Sequence, residues 1–161
     1  MIRKSAHGVD QGANLDAVEP DQEPMKTREF LETLPDLVRQ QLPPELSGFQ
    51  VHPRVTSLTK FYYQRASVHY EVWVQRRKGI VELGLHFEGD PETNFRQLEL
   101  LNGHAEEIRS CLGNSIQIDQ WDKGWIRAHE TISLELLTDD FLVEVSVKLS
   151  GMIRTLEPLL R

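Results

Sequence analysis

Apolar and polar residues alternate with a period of two across residues 67–88, SVHYEVWVQRRKGIVELGLHFE. Successive side chains of a strand point to opposite faces. Val68, Tyr70, Val72 and Val74 therefore share one face, and His69, Glu71, Trp73 and Gln75 the other. After the polar link Arg76-Arg77-Lys78-Gly79, Val81, Leu83, Leu85 and Phe87 alternate with Glu82, Gly84, His86 and Glu88. The link ends in glycine, which accepts a positive φ, and the whole reads as a β-hairpin. Pairing Gln75 with Ile80 keeps every apolar residue on one face and sets Trp73 opposite Glu82, Glu71 opposite Gly84 and His69 opposite His86. A slip of one residue would scramble the faces.

The period then changes. Phe95, Leu98, Leu101, Ala105, Ile108 and Leu112 recur at helical spacing. Asp90 suits the N-cap, Pro91 the first turn and Gly113 the C-terminal cap of one helix. Residues 115–134 return to period two around Asp122-Lys123-Gly124, a tight-turn sequence. Facing Trp121 with Trp125 opposes Asp119 to Arg127, a pair worth about 0.2–1 kcal/mol, and Gln117 to His129. Ile116, Ile118, Ile126, Ala128 and Ile132 then line the apolar face. Leu142, Val145, Leu149, Met152, Ile153 and Leu156 mark a last helix over about residues 139–156, with Thr138 or Asp139 as its cap. The pattern predicts an α+β fold: strand-strand-helix twice (ββαββα), with both helices on the apolar face of a two-layer antiparallel arrangement.

Upstream the pattern is less regular. Phe30, Leu31, Leu34, Leu37, Val38 and Leu42 give an N-terminal helix within residues 25–42, and Pro35 predicts two short pieces or a bend. Residues 48–64 carry apolar side chains without a steady period. An edge strand within residues 49–55 fits, because Pro53 disfavours a central position. Residues 1–24 lack a period and read as a disordered tail. The tail holds two basic and five acidic side chains, net −3, which leaves −4 of the total −7 for a single α+β domain over residues 25–161.

That acidity weighs against sequence-independent binding to nucleic-acid phosphates, although Arg76, Arg77 and Lys78 make a basic tip. The lone Cys111 cannot form an internal disulfide and is expected as a small packing residue near a helix end. No apolar run reaches membrane-spanning length and the start lacks a signal-peptide core, so a soluble cytoplasmic protein is expected.

The chemistry collects on the polar sheet face. It carries all three tryptophans, Trp73, Trp121 and Trp125, together with His69, His86, His129, Glu71, Glu82, Asp119 and Arg127. Exposed tryptophan implies a cover. The N-terminal helix folding back, a homodimer, a protein partner, a small ligand or stacked nucleobases would each serve. His69, Glu71 and His86 are also a candidate metal or acid–base set, although as members of a solvated face they need no ligand. The sequence itself assigns no cofactor.

HYEVW, then VELGLHFEG, then N-F-x-x-L, E-I-R-x-x-L-G and a tryptophan-bearing hairpin together resemble an uncharacterised bacterial family of small α+β domains sometimes found beside restriction-endonuclease-like modules. The resemblance spans residues 63–160. It implies a strand-strand-helix repeat and a DNA-defence or DNA-maintenance context, and carries over no catalytic residue. A nuclease core would need Glu-x-Lys where this chain has Glu82-Leu83-Gly84. The chain also lacks G-x-S-x-G, G-x-G-x-x-G, P-loop, H-E-x-x-H and C-x-x-C motifs. The sequence is thus read first as a non-enzymatic binding module whose tryptophan- and histidine-rich face takes a protein partner or a second copy. A metal-dependent or acid–base enzyme using His69, His86 and Glu71, or a DNA-associated accessory domain, are the alternatives.

Overall fold

Alternation and helical spacing become six strands and four helices in the computed structural model, which describes residues 23–161. The expected tail lies, through residue 22, outside the described residues. Helix α1 (Thr27–Gln41) is one helix running through Pro35. Phe30, Leu31, Leu34 and Val38 are buried along one side of it, and the Phe30 ring stacks on Phe141 at 5.9 Å. That burial holds together a segment that proline alone would divide.

Two hairpins follow. Strands β1 (Gln50–Val55) and β2 (Leu58–Tyr62) pair antiparallel, with a register shift between His52 and Val55. They turn at Thr56, a non-glycine residue at φ 39°. Strands β3 (Val68–Gln75) and β4 (Ile80–Phe87) pair in the expected register, His69 with His86 through Gln75 with Ile80, and Gly79 takes φ 65° at the turn.

The single helix expected next is two, α2 (Pro91–Gly103) and α3 (Ala105–Leu112), separated at His104 with φ −107° and ψ 12°. Gly103 is the weak point, because glycine costs helix stability. Leu101 and Ile108 are buried, but Phe95 is exposed, against its expected place in the buried stripe. Cys111 is exposed as well, not a packing residue. Asp90 caps α2 by accepting from the Thr93 N–H at 2.9 Å.

Strands β5 (Gln117–Gln120) and β6 (Ile126–Ser133) pair as expected, Gln117 with His129 and Asp119 with Arg127. Helix α4 (Asp139–Leu156) ends the sequence of long elements, its Thr138 cap accepting from the Phe141 N–H. The sheet order is β1-β2-β3-β4-β6-β5, antiparallel throughout. Four strands precede α2 where the alternation alone gave two, because β1 and β2 extend the sheet beyond β3.

Val72, Val74, Val81, Leu83, Leu85, Phe87, Ile126 and Ala128 join the buried residues of α1 and α4 in one core. Helix α1 packs on α4, with Gln41 Nε2 donating to Ser146 Oγ at 2.6 Å. Its apolar side is thus committed to this core. No helix among the described residues is long and apolar enough to cross a membrane.

Candidate metal centre

The opposite side of the sheet is polar in sequence yet largely buried. Pairing places His69 beside His86, Glu71 beside Gly84, His86 beside Arg127, Gly84 beside His129 and, from β2, Lys60 beside Glu71. His69 and His86 are each 1% exposed, Glu71 and Glu82 6%, and His129 5%. These are not the residues of a solvated face. Side chains crowded on a twisted sheet exclude water from one another, and Gly84 makes the crowding possible. A Cβ added there would lie 2.8 Å from the His129 Cβ and 3.2 Å from His86 Nε2.

The rings form a stack. His69 and His86 lie 5.5 Å apart and nearly parallel, at 13°. The edge of His86 meets Trp121 at 5.7 Å, and Trp121 meets Trp125 at 5.6 Å. The Arg127 guanidinium lies over Trp121 and the Lys123 ammonium over Trp125. The two tryptophans flank the tight turn, with the Trp121 N–H donating to the Trp125 carbonyl. They are half-buried by one another and by the imidazoles, so much of the cover that tryptophan demands is local. Trp73, also half-buried, stands apart. It lines an open groove of about 350 Å³ with Ser57, Val74, Gln75, Arg76, Arg77 and Lys78.

His69, Glu71, His86 and Glu88 each bring one donor atom within 4.8 Å of the other three. His69 Nδ1 is 2.8 Å from the Ala66 carbonyl oxygen. A carbonyl only accepts, so Nδ1 carries a hydrogen and Nε2 is the ring atom left facing the carboxylates. Nε2 lies 3.4 Å from Glu71 Oε2 and 3.8 Å from Glu88 Oε1. A proton on Nε2 donated to Glu71, or a metal cation in its place, satisfies all three groups. A backbone carbonyl fixing one imidazole nitrogen so that the other ligates is the usual outer shell of a metal-bound histidine.

His86 supplies a second sign. Neither of its ring nitrogens has a hydrogen-bond partner, and its nearest carboxylate beyond the quartet, Glu82 Oε1, is 3.7 Å from Nε2. Buried polar atoms without partners are rare enough to need an explanation. Here His86 Nδ1 and Nε2, His129 Nδ1 and Trp121 Nε1 all fall on this one face.

The electrostatics suit ligation. Burial drives the His86 pKa down to about 4 against the opposing pull of the Glu71 carboxylate, so at neutral pH the ring is unprotonated. Burial pushes the Glu71 carboxyl up. The hydrogen bond from His69 and the Lys60 charge oppose that, and the carboxyl is held below the ordinary carboxylate value. Lys60 Nζ lies 3.7 Å from Glu71 Oε2 and 3.4 Å from Glu88 Oε2.

The remaining expected residues form a neighbouring ion network. Arg127 donates to Asp119 Oδ1 and to Glu82 Oε1, each at 3.0 Å, and His129 Nε2 lies 3.2 Å from Asp119 Oδ2. Burial raises the Asp119 carboxyl, but the Arg127 and His129 hydrogen bonds outweigh it and leave it lowered. Of the expected face, His69, Glu71 and His86 therefore meet in one cluster. His129 and Arg127 adjoin it, Trp121 and Trp125 wall it, and Trp73 lies outside it. Sequence reasoning missed Glu88 and Lys60 as partners. Glu88 continues the His86 alternation two residues on and was legible; Lys60 needed β2, which had no readable period.

Comparison with known protein families, with curated proteins and with solved structures finds no match for this chain.

Proposed function

We propose that this chain is a metal-binding module that holds one divalent transition-metal ion through His69, Glu71, His86 and Glu88. The observation that supports this best is the convergence of four donor atoms within 4.8 Å of one another, one of them on His86, an imidazole with no hydrogen-bond partner. Two imidazoles and two carboxylates suit Zn²⁺, Mn²⁺ or Fe²⁺ over the soft ions that prefer thiolates. In a tetrahedral zinc shell, bond lengths of 2.0–2.2 Å put donors about 3.3–3.6 Å apart. The His69–Glu71 separation of 3.4 Å is in that range, while the quartet spans up to 4.8 Å, so His86 and Glu88 must turn inward to close the shell. Four protein ligands fill such a shell and keep no open position, which favours a structural or holding role over hydrolytic catalysis. The test is metal analysis after metal-free purification and incubation with Zn²⁺, Mn²⁺ or Fe²⁺. One equivalent is expected, with a raised melting temperature. Excess metal at a hundred times Kd adds about 2.7 kcal/mol. Uptake no greater than that of the double variant Glu71→Gln, His86→Ala would overturn the reading.

A specific observation also favours a protein-partner reading at the Trp73 groove. Its lining residues include three cations and no acid, with an apolar floor, so an acidic segment of a partner protein fits its charge. Trp73→Ala with Arg77→Glu should abolish capture of an acidic, aromatic-containing peptide, and retained capture would sink it.

A further inference from the structure

We propose that Lys60 is the resident cation of the His69–Glu71–His86–Glu88 cluster, and that metal loading is an exchange in which the ammonium leaves as the ion enters. The inference rests on the metal-binding reading and concerns how that site is controlled.

The Lys60 ammonium touches the two carboxylates assigned as ligands, Glu88 Oε2 at 3.4 Å and Glu71 Oε2 at 3.7 Å. The nearby Arg127 is engaged with Glu82 and Asp119 instead. Lys60 thus brings a permanent positive charge into contact with both carboxylates. Two buried carboxylates side by side are costly without such a counter-charge.

A divalent ion bound by the same oxygens would stand within a few ångströms of that ammonium. Like charges at such range repel strongly even at a protein-surface dielectric. Lysine is suited to yield, because its head is a compact hydrated charge on a flexible four-carbon stem. Its side chain is already 26% exposed and Glu88 is 18% exposed, so these two form the rim through which an ion would pass. His69 and Glu71 lie deeper, at 0% and 8%.

The exchange gives Lys60 two opposed effects. Lys60→Met keeps the apolar stem and removes the charge. It should lower the melting temperature of the metal-free protein while tightening Zn²⁺ binding roughly tenfold or more. Lys60→Arg, which keeps the charge, should not tighten it. A substitution that merely damaged the structure would weaken both properties. Affinity is read by competition with a chromophoric chelator, using Zn²⁺ alone as probe.

The wild-type protein offers a second readout that does not depend on a variant folding. Acetylation of the Lys60 amine by a water-soluble succinimidyl ester, followed by peptide mass spectrometry, should be faster with Zn²⁺ bound than without it. Zn²⁺ binding with equal affinity in wild type and Lys60→Met, or with unchanged Lys60 acetylation, would overturn the exchange and leave the metal site standing. No Zn²⁺ binding by either protein would overturn the site itself, and the exchange with it.

Discussion

At the scale of single residues, the site depends on a missing side chain as much as on those present. Gly84 sits between Glu71 on β3 and His129 on β6, and its hydrogen leaves the space that His86 and His129 share. Gly84→Ala forces a Cβ to 2.8 Å from the His129 Cβ and 3.1 Å from the Ala128 carbonyl oxygen. It should cost about 1–3 kcal/mol in chemical denaturation, the range for overpacking a core, and should weaken metal uptake by displacing His86. His86 also sets a pH dependence. Its pKa is about 4 when folded against 6.5 ordinarily, so between these values the unfolded chain binds a proton that the folded protein refuses. Stability must then rise with pH across that window and be lost as pH falls through it. The full effect is about 3 kcal/mol for the metal-free protein. Urea unfolding at stepped pH should show the slope, and His86→Asn should flatten it. Glu71 and Asp119, whose carboxyls are held low, add their own loss as pH falls below their ordinary values of 4.5 and 3.8.

At the scale of elements, one side chain joins the strand that carries His86 to the helix that follows. Asn94 is 1% exposed in the first turns of α2. It accepts from the Gly89 N–H at 3.1 Å and donates to the carbonyls of Gly89 at 3.0 Å and Gly124 at 3.1 Å. It thereby ties the β4–α2 corner, one residue beyond Glu88, to the turn between Trp121 and Trp125. Asn94→Ala leaves three backbone groups without their partner. It should cost about 1–3 kcal/mol and loosen Glu88, lowering zinc affinity more than a core truncation of equal cost such as Leu149→Ala. The same elements show what the sequence could convey. The β3–β4 and β5–β6 registers were legible because alternation is strict on both strands and a glycine-bearing turn fixes the offset. Helix α4 was legible from its stripe and its threonine cap. The β1–β2 hairpin was not, because its register shifts between His52 and Val55 and its turn uses Thr56 in place of glycine. The α2–α3 break was hidden because helical spacing continues across Gly103. Side-chain burial on the polar face was hidden too, since it arises from four strands meeting and not from any one of them.

At the scale of the whole molecule, the open sheet ends in two edges that are poor templates for another chain. β1 contains Pro53, which has no N–H to offer, and its ladder is irregular; β5 has four residues. Pro53→Val should restore a backbone donor to this edge strand and increase concentration-dependent light scattering relative to wild type. Between those edges, the turn joining β5 and β6 holds Trp121 and Trp125 with ring centres 5.6 Å apart, and Trp121 meets His86 at 5.7 Å. Two indoles that close share their electronic excitation, and one of them abuts a proposed ligand. A paramagnetic ion such as Co²⁺ at the quartet would drain that excitation through the adjacent imidazole, while Zn²⁺, with its filled d shell, would leave it emitting. The fold has in effect placed a luminescent gauge against the donor ring, and the colour and yield of its own emission would distinguish one occupant from another without any added dye.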